Sequence, residues 1–249
     1  MILFGVVNAS PDSLASDSIA TTPAAAMDRA RWLLAEGADA IDLGGQGSTG
    51  IADVVDWSVE WARVEHLIPA LATLGTELSI DSWRPEVVSR ALQAGATMIN
   101  AADGMQRDEM WPVASDFDVP IVIPFLSGPD PKRMTKVSSD PIEAMTDFFR
   151  TRLSDADRFG ARTRCIIDPG TGFAPPEWPW EERFVYQKYV YSNLDELRRF
   201  GLPIYIALPW KDTAQHDELL DIVVQQRPDF GRCHYPAKIR AFERHHEAT

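Results

Sequence analysis

The polar residues that could do chemistry fall at or near the ends of short apolar runs. Asn8 ends the first run, and Asp42 with Gly44-Gly45 closes the second. Asp81 and Asn100 end the third and fourth, Pro124-Phe125 the fifth, and Asp168 the sixth. Lys211 follows the seventh, and Arg232 with His234 belongs to the eighth. Only the fifth end lacks a group that donates, accepts or carries charge. Two carboxylates (Asp81, Asp168), a carboxamide (Asn100) and an ammonium (Lys211) offer paired donors and acceptors. Such a set suits a flat heterocycle with an amidine-like edge, because a carboxylate accepts two parallel N–H bonds from it. Asn8, Arg232 and His234 lie on the first and last runs, which become neighbours if a sheet closes on itself. They supply the basic and neutral-polar cluster that an anionic leaving group needs. No His/Cys spacing suggests zinc. A Mg²⁺ held mainly by ligand phosphates plus one side-chain oxygen fits the inventory better.

Taken singly, each of these residues has an ordinary reading. Pro11-Asp12-Ser13 and Asp168-Pro169-Gly170 are common turn sequences. Asp42 also suits a neighbouring backbone amide, Asp81 the cap of a helix starting near Pro85, and Lys211 a solvated surface. His66, His216, His245 and His246 read as surface residues. Convergence of so many polar ends on one mouth is what turn chemistry leaves unexplained.

The elements that must position them alternate along the chain. Apolar, β-branched runs occupy 2–7, 40–43, 77–80, 97–99, 119–125, 164–167, 203–208 and 231–233. Helical spacing of apolar residues spans 23–37, 57–74, 85–95, 108–117, 141–160, 194–200, 217–226 and 237–246. Strands separated by helices pair in parallel through right-handed crossovers. Eight such units in 249 residues, with no linker or repeat, predict a single-domain (β/α)8 TIM barrel over residues 1–249. No dinucleotide glycine fingerprint follows the first run, which disfavours an open doubly wound sheet. In a closed barrel, reactive groups sit at the C-terminal strand ends. The aromatic-rich stretch 175–191 reads as a lid, a partner surface or a local core.

The chain carries 24 basic against 37 acidic side chains, a net charge of −13. An acidic surface repels phosphate backbones and anionic lipids, so neither nucleic-acid nor membrane partners are expected. No apolar run approaches the roughly 20 residues of a membrane span. The N-terminus lacks a basic region ahead of its first strand, so no signal peptide is expected. Two cysteines, Cys165 and Cys233, lie in apolar runs and fit a reducing cytoplasm.

From Leu3 to about His234 the sequence resembles the dihydropteroate synthase family of pterin-binding barrels. The matching segments are Val7-Asn8-Ala9-Ser10-Pro11-Asp12-Ser13, Ile41-Asp42-Leu43-Gly44-Gly45 with Ser48-Thr49, and Ser79-Ile80-Asp81-Ser82. Gly95-Ala96-Thr97-Met98-Ile99-Asn100, Ile167-Asp168-Pro169-Gly170-Thr171-Gly172-Phe173 and Arg232-Cys233-His234 complete the set. The resemblance implies that Asp81, Asn100, Asp168 and Lys211 hold a pterin ring. Asp81, Asp168 and Lys211 are then the catalytic set. It implies that Asn8 meets a Mg²⁺ cofactor on a diphosphate and that Arg232 and His234 bind that diphosphate. Phe173 would line the p-aminobenzoate side, and Asp42 and Thr49 would add substrate contacts. The implied reaction joins 6-hydroxymethyl-7,8-dihydropterin diphosphate to p-aminobenzoate and releases pyrophosphate, a step of folate biosynthesis. The substrates are small molecules, and a homodimer is the assembly the resemblance allows. The stretch between Lys211 and Arg232 is nevertheless shorter than in the family.

Departures gather on the acceptor half. Pro209-Trp210-Lys211 stands where the family reads Ser-Arg-Lys, Gln46-Gly47-Ser48-Thr49-Gly50 lacks the usual arginine and proline, and Pro175 replaces a lysine. Loss of a buried arginine–carboxylate contact costs roughly 2–5 kcal/mol. An acceptor carboxylate then needs another anchor, or the acceptor differs. Two further readings stand beside this one. They are a methyltetrahydrofolate-type pterin methyltransferase, which has no need of Asn8, Arg232 and His234, and a pterin-diphosphate-binding protein without turnover.

Overall fold

The structure is a computed structural model, and it describes residues 1–13, 15–48, 52–137, 139–175 and 177–247. Eight strands form one parallel sheet: β1 (Ile2–Asn8), β2 (Ala40–Gly44), β3 (Leu78–Asp81), β4 (Met98–Asn100), β5 (Ile121–Pro124), β6 (Cys165–Asp168), β7 (Tyr205–Ala207) and β8 (Phe230–Cys233). Their order is β6-β5-β4-β3-β2-β1-β8-β7. A bridge between Ile167 and Ile204 joins the two ends, with the Ile167 N–H donating to the Pro203 carbonyl at 3.0 Å. The sheet thus closes into the expected (β/α)8 barrel.

Strand alternation decides what faces inward. Phe4, Ala40, Met98, Val122, Ile166 and Tyr205 pack together inside the barrel, with Phe230 against them. Their strand neighbours Leu3, Ile41, Ile99, Ile121, Ile167, Ile204 and Ile206 belong to the larger core shared with the helices. Toward the C-terminal strand ends, the same face carries a polar side chain on six of the eight strands. Phe4-Val6-Asn8, Ala40-Asp42, Ser79-Asp81, Met98-Asn100, Ile166-Asp168 and Phe230-Arg232 follow this period. The barrel is therefore plugged by an aromatic-aliphatic layer below and lined by polar groups above.

The outer helices are α1 (Pro23–Ala35), α2 (Trp57–Val64), α3 (Leu67–Ala72), α4 (Pro85–Ala94), α5 (Met110–Asp116), α6 (Pro141–Arg158), α7 (Trp180–Ser192), α8 (Asp195–Arg198), α9 (Ala214–Gln226) and α10 (Pro236–Glu247). Local chemistry sets their ends. The Thr22 hydroxyl caps α1, which opens on Pro23. Asp140 caps α6 by accepting from the Ile142 and Glu143 N–H groups. Gly95, at φ +118°, ends α4.

One expected helix needs correction. The helix expected over 57–74 is broken between α2 and α3. Pro69 has no N–H for the carbonyl four residues earlier, so one continuous helix does not form there. The stretch 175–191, read as a lid, a partner surface or a local core, holds all but the last residue of α7. Gln187, Val190 and Tyr191 of α7 are buried, whereas Val185 and Tyr189 are exposed.

Among the described residues no helix is long and apolar enough to cross a membrane. Phe4 anchors the lower layer, 5.7 Å from Tyr205 and 6.1 Å from Phe230 between ring centroids. Phe4→Ala is expected to cost about 3–5 kcal/mol of unfolding free energy. A urea midpoint unchanged from the parent protein would contradict this packing.

Candidate active site

The strand register assembles the upper layer. Asn8 pairs with Gly44, Gly44 with Asp81, and Asp81 with Asn100, so four adjacent strands present one tier. Asp168 pairs with Pro124 further round the barrel. Gly44 keeps this tier open. A Cβ there would lie 3.4 Å from Asn8 Oδ1 and 3.9 Å from the Asp81 Cβ.

One tier lower, Asp42 is completely buried. It accepts from Ser79 Oγ at 2.7 Å, Asn100 Nδ2 at 3.3 Å and Arg232 Nε at 2.5 Å. A second nitrogen of Arg232, Nη2, donates to Asp81 Oδ2 at 3.1 Å. One guanidinium therefore ties the two carboxylates together. Burial disfavours the Arg232 cation, but Asp42 and Asp81 more than offset that and raise its pKa above the ordinary value. Burial also raises the Asp81 pKa, against the pull of Arg232 and with Asp42 adding to the rise.

Asp168 is nearly buried and accepts from the Gly170 N–H at 2.7 Å. Burial pushes its pKa up to about 7, against the opposing effects of that hydrogen bond and of Arg232. Gly170 is required for this turn. Its φ is +68°, and a Cβ would stand 1.9 Å from the Phe125 carbonyl oxygen.

On the neighbouring flank, Asn8 Nδ2 donates to Ser13 Oγ at 2.9 Å and Ser18 Oγ at 2.7 Å. Those bonds fix the amide and leave Oδ1 toward the notch over Gly44. His234 is half-buried, and its Nδ1 is buried without a hydrogen-bond partner. Burial, Arg232 and Arg29 lower its pKa to about 3, so the ring is neutral at ordinary pH. Arg232 commits two of its five N–H donors to the aspartates, which leaves three uncommitted among the described residues. Among the described residues no group of three His, Cys, Asp or Glu side chains could hold a metal. The single free oxygen of Asn8 suits a Mg²⁺ carried mainly by phosphates.

The sequence matches the model of the family described as pterin binding enzyme over residues 4–226. The chain belongs to the pterin-binding enzyme family. It is 31% identical to the type-2 dihydropteroate synthase of Escherichia coli over 217 residues, 85% of this chain and 77% of that one. It is 32% identical to the dihydropteroate synthase of Synechocystis over 209 residues, 82% of this chain and 70% of that one. A solved structure of the Xanthomonas albilineans dihydropteroate synthase with 4-aminobenzoic acid superposes at a TM-score of 0.84. Identity there is 26%, with 99% of this chain and 92% of that one covered. The Yersinia pestis enzyme, at 23% identity and a TM-score of 0.87, shares the fold over 99% of this chain and 93% of that one.

Within this pterin-binding barrel the expected site residues are not all equivalent. Asn8, Asp81, Asn100, Asp168, Arg232 and His234 surround the mouth. Asp42, expected among the substrate contacts, lies beneath it with no exposed surface and accepts from Asn100 and Arg232. Lys211 stands apart. It is exposed, with its ammonium 5.7 Å from the Trp210 ring centroid, and no hydrogen bond joins it to the carboxylates. Phe173 is half-buried, its N–H donating to the Gly170 carbonyl at 3.0 Å. Thr49 lies outside the described residues. His216, read as a surface residue, is buried and stacked on Trp180 with centroids 4.4 Å apart.

Sequence reading missed the groups that hold the loops. Arg84 donates from Nη1 to Glu60 Oε2 at 2.5 Å and to Gln46 Oε1 at 2.8 Å. The same Gln46 oxygen accepts from the Val55 N–H at 3.2 Å. This buried network pins the loop after β2. Asp12, which accepts from the Asp53 N–H at 3.0 Å, ties the loop after β1 to it. Arg63 adds bonds to Ser10 Oγ at 3.2 Å and to the Gly45 carbonyl at 3.0 Å.

The raised Asp168 pKa has a consequence for stability. Its folded-state value lies above the unfolded one, so between about pH 4 and pH 7 the unfolded chain loses the proton first. Folding stability conferred at low pH is lost as pH rises through that window. Asp168→Asn removes this term. The stability of the variant relative to the parent should therefore increase from pH 4.5 to pH 8, by about 1–4 kcal/mol. Denaturant melts with a flat or falling difference would refute a protonated, buried Asp168.

Proposed function

We propose that this chain catalyses dihydropteroate synthase chemistry. It takes a 6-hydroxymethyl-7,8-dihydropterin diphosphate and an aromatic amine of the p-aminobenzoate class. The bond between the pterin methylene carbon and the diphosphate oxygen breaks, with the electron pair leaving on pyrophosphate. The amine nitrogen bonds to that carbon and loses a proton. The observation that carries this reading is the single tier of Asn8, Asp81 and Asn100, completed by Asp168 and braced by the Asp42–Arg232 pair.

Asp168, Asp81 and Asn100 offer acceptors and a donor to the edge of a bicyclic ring. As the carbon–oxygen bond lengthens, positive charge grows on the pterin, and buried carboxylates stabilise it. Arg232 and neutral His234 donate N–H groups to the departing diphosphate. Asn8 Oδ1 would hold a Mg²⁺ there, and a bound Mg²⁺ supplies charge neutralisation of the leaving group. The bonds among Asp12, Ser10, Asp53 and Gly47 draw the first two loops together, which limits water access to an electrophilic carbon. Both cysteines are free and buried, in keeping with a reducing, cytoplasmic setting.

The deciding assay incubates purified protein with Mg²⁺ and the pterin diphosphate, with and without p-aminobenzoate, and follows pyrophosphate and the pterin product by mass. Acceptor-dependent release with formation of dihydropteroate is expected. Asp168→Ala should abolish binding of the ring. Tight pterin-diphosphate binding without release would leave a binding protein in place of a synthase. Absence of binding would overturn both.

A further inference from the structure

Arg183 is a cation whose counter-charge is absent from the described residues. It lies in the first turn of α7, half-buried, and makes no ion pair within 4.0 Å among those residues. Its Nη2 donates to the Gly172 carbonyl at 3.1 Å, whereas its Nε is buried with no hydrogen-bond partner. Arg84, Arg164, Arg232 and Arg240, by contrast, each have an acidic partner or several carbonyl partners. A partly desolvated guanidinium with one neutral acceptor is costly unless an anion completes it.

Arg183 is tied to the loop that follows β6. Gly172, which Arg183 holds, packs on β7, because a Cβ on Gly172 would stand 2.7 Å from the Ala207 Cβ. Ala207 is the register partner of Arg232. Phe173 follows Gly172 directly. Across the gap, Lys211 and Arg183 both act on His216 and, with burial first, lower its pKa. The stacked Trp180 and His216 form an apolar wall there, and Trp180 Nε1 donates to Gln215 Oε1 at 2.5 Å. This flank lies on the β6–β7 side, whereas Asn8 and His234 stand on the β1–β8 side. Two anions can thus be held at separate places around one mouth.

We infer that Arg183 is a specificity-determining residue that binds the carboxylate of the aromatic amine acceptor beside Phe173. This rests on the synthase reading above. Arg183 donates from its free N–H groups to the carboxylate, and the ring of the acceptor lies against apolar surface near Phe173. The amine then faces the pterin methylene carbon. An uncharged acceptor of the same shape lacks the group that Arg183 would complete.

The test compares p-aminobenzoate with 4-aminobenzamide, its neutral counterpart, in the pyrophosphate-release assay. The full-length parent protein, Arg183→Gln and Arg183→Lys are measured. The parent is expected to prefer the carboxylate. Arg183→Gln should raise KM for p-aminobenzoate at least about tenfold. It should leave KM for the pterin diphosphate and for 4-aminobenzamide within about twofold. Arg183→Lys should recover part of the preference, since it keeps the charge but not the fork. Equal losses with both acceptors, a rise in KM for the pterin diphosphate alone, or no change would overturn the assignment. A thermal melt on each variant separates misfolding from lost recognition, and Arg183→Lys carries the test if the glutamine variant melts early. If the parent binds pterin diphosphate and turns over but Arg183→Gln keeps its carboxylate preference, this inference fails alone. If the parent neither binds nor turns over, the synthase reading fails and this inference falls with it.

Discussion

The Arg232 guanidinium is the group on which the centre of this barrel depends. Asp42 is fully buried, and an isolated carboxylate there would be expelled from its charged form. Arg232 Nε at 2.5 Å, together with Ser79 and Asn100, makes its burial tolerable. The same cation reaches Asp81 at 3.1 Å. One positive charge cannot fully compensate Asp42, Asp81 and Asp168 together. Burial raises the pKa values of Asp81 and Asp168 against the pull of that cation, with Asp42 adding to the rise at Asp81. A ring that brings several N–H donors supplies what the barrel lacks. The protein has, in effect, been folded with part of its electrostatic balance left for the ligand.

Much of this was legible because a closed barrel obeys a period of two. The sequence Phe4-Gly5-Val6-Val7-Asn8 already says which residues face in, and Ile80-Asp81 and Ile99-Asn100 repeat the message. The depth of Asp42 was less legible. The apolar run ends at Leu43, yet β2 continues to Gly44, so Asp42 sits inside the strand and is buried one tier below Asp81 and Asn100. Lys211 lies four residues past the end of β7, where no ladder fixes its direction. Arg183 left a different trace. Trp180, Phe184, Gln187 and Tyr191 recur at steps of four, three and four, a helical period that the aromatic composition obscured. A helix starting at Trp180 places Arg183 in its first turn. The loop network was not legible at all. Glu60, Arg84 and Gln46 are distant in sequence, and only closure of the barrel brings them together.

The asymmetry of the mouth follows from the same electrostatics. The floor is acidic and accepts hydrogen bonds, while the rim between β6 and β8 carries Arg183, Lys211 and the unspent donors of Arg232. A chain with a net charge of −13 repels anions at a distance. It can hold them only where local cations outweigh that field. The described rim meets this requirement in a particular way: His216 and His234 lie among the cations and both have lowered pKa values. Neutral imidazoles fill space without deepening the repulsion among neighbouring cations.

Arg232 also links the two halves of the site. On the proposed reading, a diphosphate arriving beside His234 competes with Asp81 for the guanidinium. Weakening the Arg232–Asp81 contact removes the influence that lowers the Asp81 pKa, so Asp81 holds its proton more firmly until the pterin supplies N–H donors in its place. As the diphosphate departs and positive charge grows on the ring, the demand reverses, and an ionised Asp81 becomes the favoured partner. The charge that stabilises the electrophile and the charge that stabilises the leaving group are therefore governed by one side chain. Asp42 fixes that side chain from below, which makes a carboxylate with no surface of its own a determinant of what happens at the mouth.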